Sequence, residues 1–528
     1  MKLALAVILS AFLALAYCAQ MARWLRVLQR EHYDPSSMVR FLARWTSPPQ
    51  SSVRPPAHSK SPSHTKVRRS VTLSHVLLLA MIVVLALRLW DLFAITVVIY
   101  GLLCPWGLAL RGRTSTLDWT RRMRVTAIVA GAFSVVASGL GTLVPARLLV
   151  ASVTVLVVPL VLDLATRALR PHEERGAQRF VDQAVQRLER IHPRIVAITG
   201  SYGKTSTKNY LSSLLDSEYG VVASPRSYNN RAGLSRAINE NLDESTRIFI
   251  AEMGTYGKGE IRELTSWCPP EIAVVTAIGP VHLERMGSLE VIEAAKREIT
   301  ERALTVVLNV DDPRLAVWPE SLRAEGKRVI TAGSTTSDAD VRIIVEWGRW
   351  SVSVEGTTIA TLDEIRGVQP TNLACALGAA VALGVAIEHV IAGLSRVSPV
   401  ANRLNVANAP SGVVVVDDTF NANPASAAAA LKVLSALELV GRRIVVTPGL
   451  IELGREQYGE NLRLGQLVDA MRGELIVVGR TNALALAEGS SSVPPRFDHR
   501  EDAVAWVRSN LGPGDAVLFL NDLPDHYP

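Results

Sequence analysis

The chain has few cysteines, and they are not arranged for metal or disulfide chemistry. Its 528 residues include four, at Cys18, Cys104, Cys268 and Cys375, with no CxxC or CxxH spacing. Zinc sites and disulfide frameworks are recognised by such regular spacing. Neither is therefore indicated here, and the composition fits a reducing compartment.

The sequence also lacks a nucleic-acid reading surface, although its net charge is +7. The excess of Lys and Arg lies largely in loops between apolar segments and does not follow a recognisable reading helix. Retention of these loops on the cytoplasmic side of a membrane is the simpler explanation. No nucleic-acid partner is expected.

Apolar residues are concentrated before about residue 167, and the mean hydropathy of the chain is positive, at +0.22. A helix needs roughly 20 apolar residues to cross the hydrocarbon. Five runs come close to this length, at 3–19, 73–89, 92–110, 125–143 and 147–166. The arginine-rich stretches 21–72 and 111–124 predict cytoplasmic loops. Residues 1–174 are therefore predicted to form a multi-pass region of the bacterial cytoplasmic membrane, with lipid as a partner and the catalytic domains in the cytoplasm.

Two alternatives concern this apolar region. Residues 1–16 are also compatible with a cleaved signal peptide, but a retained anchor is favoured because a downstream phosphate-binding module needs cytosolic ATP. The helices could serve only as an anchor or could also bind substrate. Charged residues inside a span would favour a function, and only Asp163 lies near one.

A glycine loop follows the short, β-branched run 195–199, which is typical of a buried parallel strand. Strand, glycine loop and helix together favour phosphate binding through backbone amides, with Lys204 reaching the terminal phosphates and Thr205 holding magnesium. The strict Walker A pattern has glycine where Ile198 stands, so the loop is a variant, and alone it could be an ordinary turn. The residues assigned to ATP in this loop are Gly200, Ser201, Tyr202, Gly203, Lys204, Thr205 and Ser206.

Seven motifs between about residue 195 and the C-terminus resemble those of the Mur ligases, in the same order. They are TGSYGKTSTK (199–208), YNNRAGL (228–234), AEMG (251–254), HLERMGSLEVIEAAKREI (282–299), LNVDD (308–312), DDTFNANP (417–424) and IELG (451–454). The resemblance is closest to the branch that adds D-alanyl-D-alanine to the cell-wall precursor peptide. It implies an α/β fold: a P-loop-type central domain with a mostly parallel sheet (175–400), then a smaller Rossmann-like domain (401–528).

The resemblance implies an ATP-dependent amide ligase that phosphorylates a carboxylate and lets an amine attack the acyl phosphate. Lys204, Glu252, His282 and Lys296 become the catalytic residues, and Thr205, Glu252, His282 and Lys296 the magnesium ligands. Lys296 would act as a carbamate, since this turns a cation into an anionic oxygen ligand. The alternatives are an exposed glutamate at a strand end, a structural or surface histidine and a solvated helix lysine.

Further ATP contacts implied by the resemblance are Asn372, Arg403 and Asp418. The family usually has a histidine shortly before the asparagine, whereas this chain reads Gly-Val-Gln-Pro at 367–370. Paired aspartates before an Asn-Pro turn could also merely cap that turn. The resemblance places Asn229, Asn230, Asn421 and Asn423 on the substrate side.

Typical family members begin with a domain that holds the UDP-sugar precursor, and nothing in residues 1–174 resembles it, so the substrate is left open. Three functions remain: D-alanyl-D-alanine addition to a muramyl peptide, a membrane-coupled ligase for another polymer such as poly-γ-glutamate, and a non-catalytic membrane scaffold. The first two need a small-molecule or lipid-linked peptide precursor and an amine donor. The glycine loop differs from that of poly-γ-glutamate synthetases, and the four retained catalytic residues argue against the scaffold.

Overall fold

A computed structural model describes residues 2–34, 37–46, 76–105, 108–112, 116–141, 147–215, 219–225, 228–336, 338–365, 367–399, 405–419, 422–523 and 527. The N-terminal part of these residues is helical. Its helices are α1 (Lys2–Arg30), α2 (Ser37–Thr46), α3 (Val76–Ala86), α4 (Trp90–Leu103), α5 (Arg121–Gly141), α6 (Arg147–Leu156) and α7 (Val158–Ile191).

The prediction of a multi-pass membrane region with five spans is wrong. Among the described residues one helix, Ala4–Arg30, is long and apolar enough to cross a membrane. The number rises to two only if Leu148–Leu156 and Val158–Ile191, which meet at a 69° bend, are joined into one span. The 14 residues of α4 fall short of the roughly 20 required. An apolar run in the sequence gives the composition of a segment, but it does not show whether the backbone is helical along the whole of that segment.

The predicted cytoplasmic loop 21–72 is also partly helical. It begins inside α1, which continues to Arg30, and it contains α2. Residues 35–36 and 47–72 of this loop lie outside the described part of the chain, as do 73–75, 106–107 and 142–143 of the predicted spans. The arginines in α1 and α2 are therefore carried on packed helices, a point that becomes important beside the candidate active site.

The middle domain is built on a nine-stranded sheet in the order β2-β3-β1-β4-β5-β6-β7-β8-β9. Its strands are β1 (Arg194–Thr199), β2 (Val221–Ala223), β3 (Ile248–Glu252), β4 (Ile272–Val275), β5 (Thr305–Asn309), β6 (Arg328–Gly333), β7 (Val341–Glu346), β8 (Arg349–Val354) and β9 (Thr357–Asp363). The first seven run parallel, and β8 and β9 add an antiparallel edge.

Both faces of this sheet are covered because the strand side chains alternate between two cores. In β1, Val196 and Ile198 face one core, while Ile195 and Ala197 face the other. The domain's helices are α8 (Lys204–Leu215), α9 (Arg231–Asn241), α10 (Glu260–Trp267), α11 (Leu283–Met286), α12 (Leu289–Arg297), α13 (Trp318–Ala324), α14 (Pro370–Ala382) and α15 (Ile387–Leu394).

The C-terminal domain has a six-stranded sheet in the order β10-β11-β15-β12-β13-β14, and only β10 is antiparallel to its neighbour. The strands are β10 (Asn405–Asn408), β11 (Val414–Asp418), β12 (Arg443–Thr447), β13 (Glu474–Val478), β14 (Arg496–Phe497) and β15 (Ala516–Leu520). The helices are α16 (Pro424–Ala436), α17 (Gln457–Ala470), α18 (Ala483–Glu488) and α19 (Arg500–Asn510). Two mostly parallel α/β units confirm the predicted fold class. The domain limits 1–174, 175–400 and 401–528 stay predictions, and α7 runs continuously across residue 174.

Candidate active site

The glycine loop connects the end of β1 to the start of α8, at a carboxyl end of the parallel sheet where ligands bind in open α/β folds. Gly203 has φ +79°, a conformation that favours glycine. A Cβ there would lie 2.3 Å from Oδ1 of Asn372, so this asparagine is packed directly on the loop. The Thr207 hydroxyl donates to the Asn372 carbonyl at 3.3 Å. The predicted ATP residue Asn372 and the loop thus form one surface.

Lys204 is the first residue of α8, and its side chain turns back over the loop. Its Nζ donates to the carbonyl oxygen of Gly200 at 2.6 Å. The Ser201 hydroxyl donates to the Gly279 carbonyl at 3.0 Å, and the Gly279 amide donates back to it at 2.9 Å. The ammonium of Lys204 is therefore held beside the loop, where phosphate oxygens would lie.

A buried carboxylate stands beside this loop. Glu252 ends β3, and its side chain accepts hydrogen bonds from Thr205 Oγ1 at 3.0 Å and from Asn229 Nδ2 at 3.3 Å. The ammonium of Lys208 lies 3.0 Å from Glu252 Oε2. We call these residues, together with Lys204, the Glu252 cluster. With 4% of Glu252 exposed, the alternative of an exposed glutamate at a strand end is contradicted.

The charges around Glu252 decide its protonation. Burial alone would raise the pKa of the Glu252 carboxyl, but Lys208, Lys204 and the hydrogen bonds to it lower the pKa below its ordinary value. Lys208 also donates to the Ser224 carbonyl at 2.8 Å. The carboxylate is therefore anionic and anchored, which suits a ligand for a divalent cation.

Lys296 lies on α12 and is buried, with 3% of its surface exposed. The alternative of a solvated helix lysine is therefore contradicted. Burial, reinforced by the nearby charge of Lys204, holds the pKa of the Lys296 amine well below its ordinary value. The amine is thus biased towards its neutral, nucleophilic form.

His282 belongs to a second group of side chains, which spans two domains. It immediately precedes α11 and has φ +54°. Its Nδ1 shares a short hydrogen bond with the Glu452 carboxylate of the C-terminal domain. The ring of Tyr256 meets the imidazole edge-on, with centroids 4.6 Å apart. We call these three residues the His282 cluster.

Glu452 is charged in this arrangement. Burial alone would raise the pKa of its carboxyl, but the hydrogen bond from His282 and the charges of Arg285 and Arg44 lower that pKa. If Nδ1 of His282 carries the proton donated to Glu452, Nε2 is left with a lone pair for a ligand. This is the geometry expected of a metal-binding histidine with a carboxylate behind it.

The structure describes three of the remaining predicted site residues, and two lie outside the described residues. Asn230 and Asn423 cap helices: their side chains accept the backbone N–H of Gly233 and Ser426, each at 2.9 Å. Asp418 is buried at the end of β11, and its carbonyl accepts the Asn521 amide at 3.1 Å. Arg403 and Asn421 lie outside the described residues. The roles assigned to all of these residues stay predictions.

Several contacts were missed by sequence reasoning. Lys208 lies in the quoted glycine-loop motif, one helical turn after Lys204, and this spacing could have suggested that both face Glu252. Glu452 lies in the IELG motif, but nothing local indicates its partner in another domain.

Asp311, in LNVDD, was also missed. It accepts hydrogen bonds at 2.7–3.0 Å from Ser334, Thr335, Thr336 and Thr371, and so connects the residues after β6 to the start of α14.

The predicted magnesium ligands do not form one compact group of acidic and imidazole side chains. Within the described part of the chain, no three or more His, Cys, Asp or Glu side chains lie together as a metal site. Thr205 and Glu252 nevertheless present a hydroxyl and a carboxylate side by side. Magnesium prefers such hard oxygens and completes its shell with water and substrate phosphates. This pair therefore fits a magnesium ion held between the protein and a nucleotide.

A phosphate loop, a buried carboxylate flanked by two lysines and a facing α/β domain are the parts of an ATP-dependent acid–amine ligase. The matches to protein families agree with this class. Residues 198–374 match the Mur ligase middle domain, and residues 402–521 match the Mur ligase glutamate ligase domain. The chain belongs to the Mur ligase family, whose members use ATP and Mg²⁺. The predicted resemblance and the predicted enzyme class are confirmed.

Curated relatives carry the name UDP-N-acetylmuramoyl-tripeptide–D-alanyl-D-alanine ligase. The enzyme of that name from Mycobacterium tuberculosis is 33% identical over 361 residues, covering 61% of this chain and 69% of the relative. The Bacillus subtilis enzyme is 28% identical over 353 residues, covering 63% and 74%. The chain is thus similar to these ligases over its middle and C-terminal domains.

Solved structures show the same fold. MurF from Acinetobacter baumannii has a TM-score of 0.57 at 23% identity, over 65% of this chain and 77% of that one. MurF from Thermotoga maritima, solved in complex with ADP, has a TM-score of 0.57 at 24% identity, over 66% and 80%.

Proposed function

We propose that this ligase joins D-alanyl-D-alanine to the free carboxylate of a muramyl-tripeptide precursor. The names of its relatives support this substrate pair. The observation that carries the proposal is the Glu252 cluster, in which the anionic carboxylate and two lysines lie beside the glycine loop. Such a site can neutralise the charge of a transferring phosphoryl group.

The reaction divides between the two domains. In the first step a carboxylate oxygen attacks the γ-phosphorus of ATP, ADP leaves, and an acyl phosphate forms. Lys204 and the loop amides would hold the phosphates, and Thr205 and Glu252 would hold Mg²⁺, which would supply further charge neutralisation. In the second step the amine nitrogen attacks the acyl carbon, phosphate leaves, and the ammonium loses a proton. The C-terminal domain, which faces the site through Glu452, would present the amine.

We also propose that Lys296 carries a carbamate. A neutral buried amine can attack CO₂, forming a nitrogen–carbon bond and releasing a proton. The lowered pKa of Lys296 supports this, and so does the relief of repulsion that an anion there would give Lys204. NMR of protein in [¹³C]bicarbonate tests it. A carbamate signal present in the wild type and lost in Lys296→Met is expected, and identical spectra would reject the modification.

Membrane lipid is a further proposed partner, through α1, the one helix among the described residues that is long and apolar enough to cross a membrane. Its outer face exposes large apolar side chains, among them Val7, Ile8, Phe12 and Leu15 at 48–63% exposure. We expect the chain to float with anionic lipid vesicles, and the double variant Ile8→Asp/Phe12→Asp to float less. Equal flotation of both would show that this face of α1 does not bind the lipid, and no flotation of the wild type would remove lipid as a partner.

Phosphate release from ATP tests the substrate assignment. The full chain is given UDP-muramyl-tripeptide with D-alanyl-D-alanine, or glutamate in their place, and Lys204→Ala serves as the blank. Release with the muramyl pair is the expected result. Release with glutamate alone would move the assignment to polymer synthesis, and release with neither would contradict the UDP-linked precursor and direct the search to a lipid-linked one.

A further inference from the structure

The second helix, α2, and the residues just before it reach the candidate active site. We call residues 31–34 together with α2 the elbow. Within it, Arg44 donates two hydrogen bonds to the carboxylate of Glu284 on α11, at 2.7 and 2.6 Å. Arg40 lies 3.4 Å from the same carboxylate. The elbow thus carries two cations that converge on one residue of the middle domain.

A second pair of charges runs in the opposite direction. Arg285 of α11 donates to Glu31 of the elbow at 3.1 Å, and its guanidinium lies 3.9 Å from Asp34. Arg285 also lies over the ring of Tyr256, 4.8 Å from the centroid. Neighbouring acidic and basic residues on α11 therefore pair with basic and acidic residues on the elbow, which fixes the register between them.

The elbow also contacts the C-terminal part of the chain. The ring of Phe41 packs edge-on against Tyr527, with centroids 4.9 Å apart, and the Arg44 guanidinium lies 5.3 Å from the same Tyr527 ring. Arg480 donates to the Trp45 carbonyl at 3.3 Å and lies over the Trp45 ring at 5.4 Å. One short segment therefore joins three parts of the molecule.

These contacts surround the His282 cluster. Residues 283–286 form α11, which begins immediately after His282, and the Glu284 amide donates to the Glu452 carbonyl at 3.3 Å. Gly454 approaches so closely that a Cβ there would lie 3.3 Å from the Glu284 nitrogen. The residue held by Arg44 thus also touches the loop of the C-terminal domain that carries Glu452.

We propose that the elbow positions the His282 cluster for ligation. Arg44 and Glu284 act as positioning residues: they hold α11, and hence His282, against the C-terminal domain. This inference rests on the proposed function, because it assigns the elbow to the step in which the two domains meet. The elbow then contributes to the geometry of the reaction.

The proposal predicts which kinetic constant changes. ATP binds at the glycine loop, which the elbow contacts do not touch, so the KM for ATP should stay within about twofold of wild type. A displaced C-terminal domain would misplace the amine, and misplacement of about 1 Å costs up to about 10²-fold in rate. We expect Arg44→Glu and Glu284→Arg each to lower kcat by about tenfold or more.

Exchanging the charges provides the decisive variant. The double variant Arg44→Glu/Glu284→Arg restores opposite charges between these two positions but leaves Arg40 beside the new cation. We therefore expect its kcat to rise at least about threefold above that of the worse single variant, as coupled residues do in a double-mutant cycle. Arg262→Glu is the control for reversing a charge, because Arg262 forms a two-bond pair with Glu301 that is more exposed than the Arg44–Glu284 pair. Single variants that behave like this control, or a double variant no better than the worse single one, would overturn the proposal.

Hydrogen exchange separates this proposal from the proposed function. In Arg44→Ala, peptides covering 282–287 should lose protection while those from β1 and β3 keep it. This readout needs no substrate, so it tests the elbow even if the muramyl pair is not ligated. Unchanged protection at 282–287 would reject the positioning role, and general loss of protection would show instead that Arg44 stabilises the whole fold.

Discussion

The Glu252 and His282 clusters differ in how much of the fold is needed to build them. All five residues of the Glu252 cluster come from 204–252, and they meet because β1 and β3 are neighbouring parallel strands. The His282 cluster needs residues of two domains. The two clusters also differ in exposure. The side chain of Glu252 is 5% exposed, whereas those of His282 and Glu452 are 25% and 26% exposed. One half of the site is complete when the middle domain folds, and the other depends on how two domains meet.

The largest expected effect is in the first half of the site. Lys204→Ala removes the cation held beside the phosphates, and we expect ligation to fall by about 10³-fold, as for the loss of a preorganised donor to a developing charge. Phosphate release measures this, with the exposed Lys432→Ala as control. A Lys204→Ala enzyme within tenfold of wild type would place the phosphates elsewhere.

Glu252→Gln should lower ligation by about 10²-fold and also destabilise the protein. The change leaves the buried ammonium of Lys208 without its carboxylate, which costs about 3–5 kcal/mol. Thermal unfolding of the middle domain should show this loss. The double variant Glu252→Gln/Lys208→Met should regain stability without regaining activity, and recovery of both would mean that Glu252 is only structural.

In the His282 cluster, Glu452→Gln should cost less, about tenfold in kcat, because partners behind a metal ligand typically contribute 10–100-fold. Unfolding temperature should hardly change, since the contact is partly exposed. The nearby exposed Glu456→Gln is the control. Equal rates for these two variants would show that Glu452 does not support His282 in the reaction.

The smallest effect on ligation is expected from Asp311→Asn, which tests the hydrogen bonds that hold the start of α14, the helix that carries Asn372. Burial alone would raise the pKa of the Asp311 carboxyl, but the surrounding amides and hydroxyls lower it below its ordinary value. The stability that it provides is therefore present above the ordinary carboxyl pKa and is lost as pH falls through the lowered one.

We expect Asp311→Asn to lower the free energy of unfolding by about 1–3 kcal/mol at neutral pH, and the difference from wild type to shrink in acid. Urea unfolding at several pH values measures it, with the exposed Asp338→Asn as control. A difference that stays constant with pH would assign the effect to something other than the charge.

The same contrast explains what could be predicted from the sequence. Strand β1, the glycine loop and α8 follow from local pattern, so Lys204, Thr205 and Glu252 were placed correctly relative to the sheet. The partner of His282 could not be read locally, because Glu452 lies 170 residues away in another domain. The five spans failed for a related reason: an apolar run does not reveal where α3 and α4 end. The contacts of the elbow depend on charges that, in the sequence, look like membrane-flanking arginines.

The elbow also has a consequence for the order in which this protein matures. Arg44 and Arg480 are 436 positions apart, and ribosomes add about 5–20 residues per second, so Arg480 is made roughly 20–90 seconds after Arg44. During that interval the elbow is already synthesised, but its C-terminal partners are not. The elbow can therefore dock on α11 first, but its docking is complete only once both catalytic domains have been made.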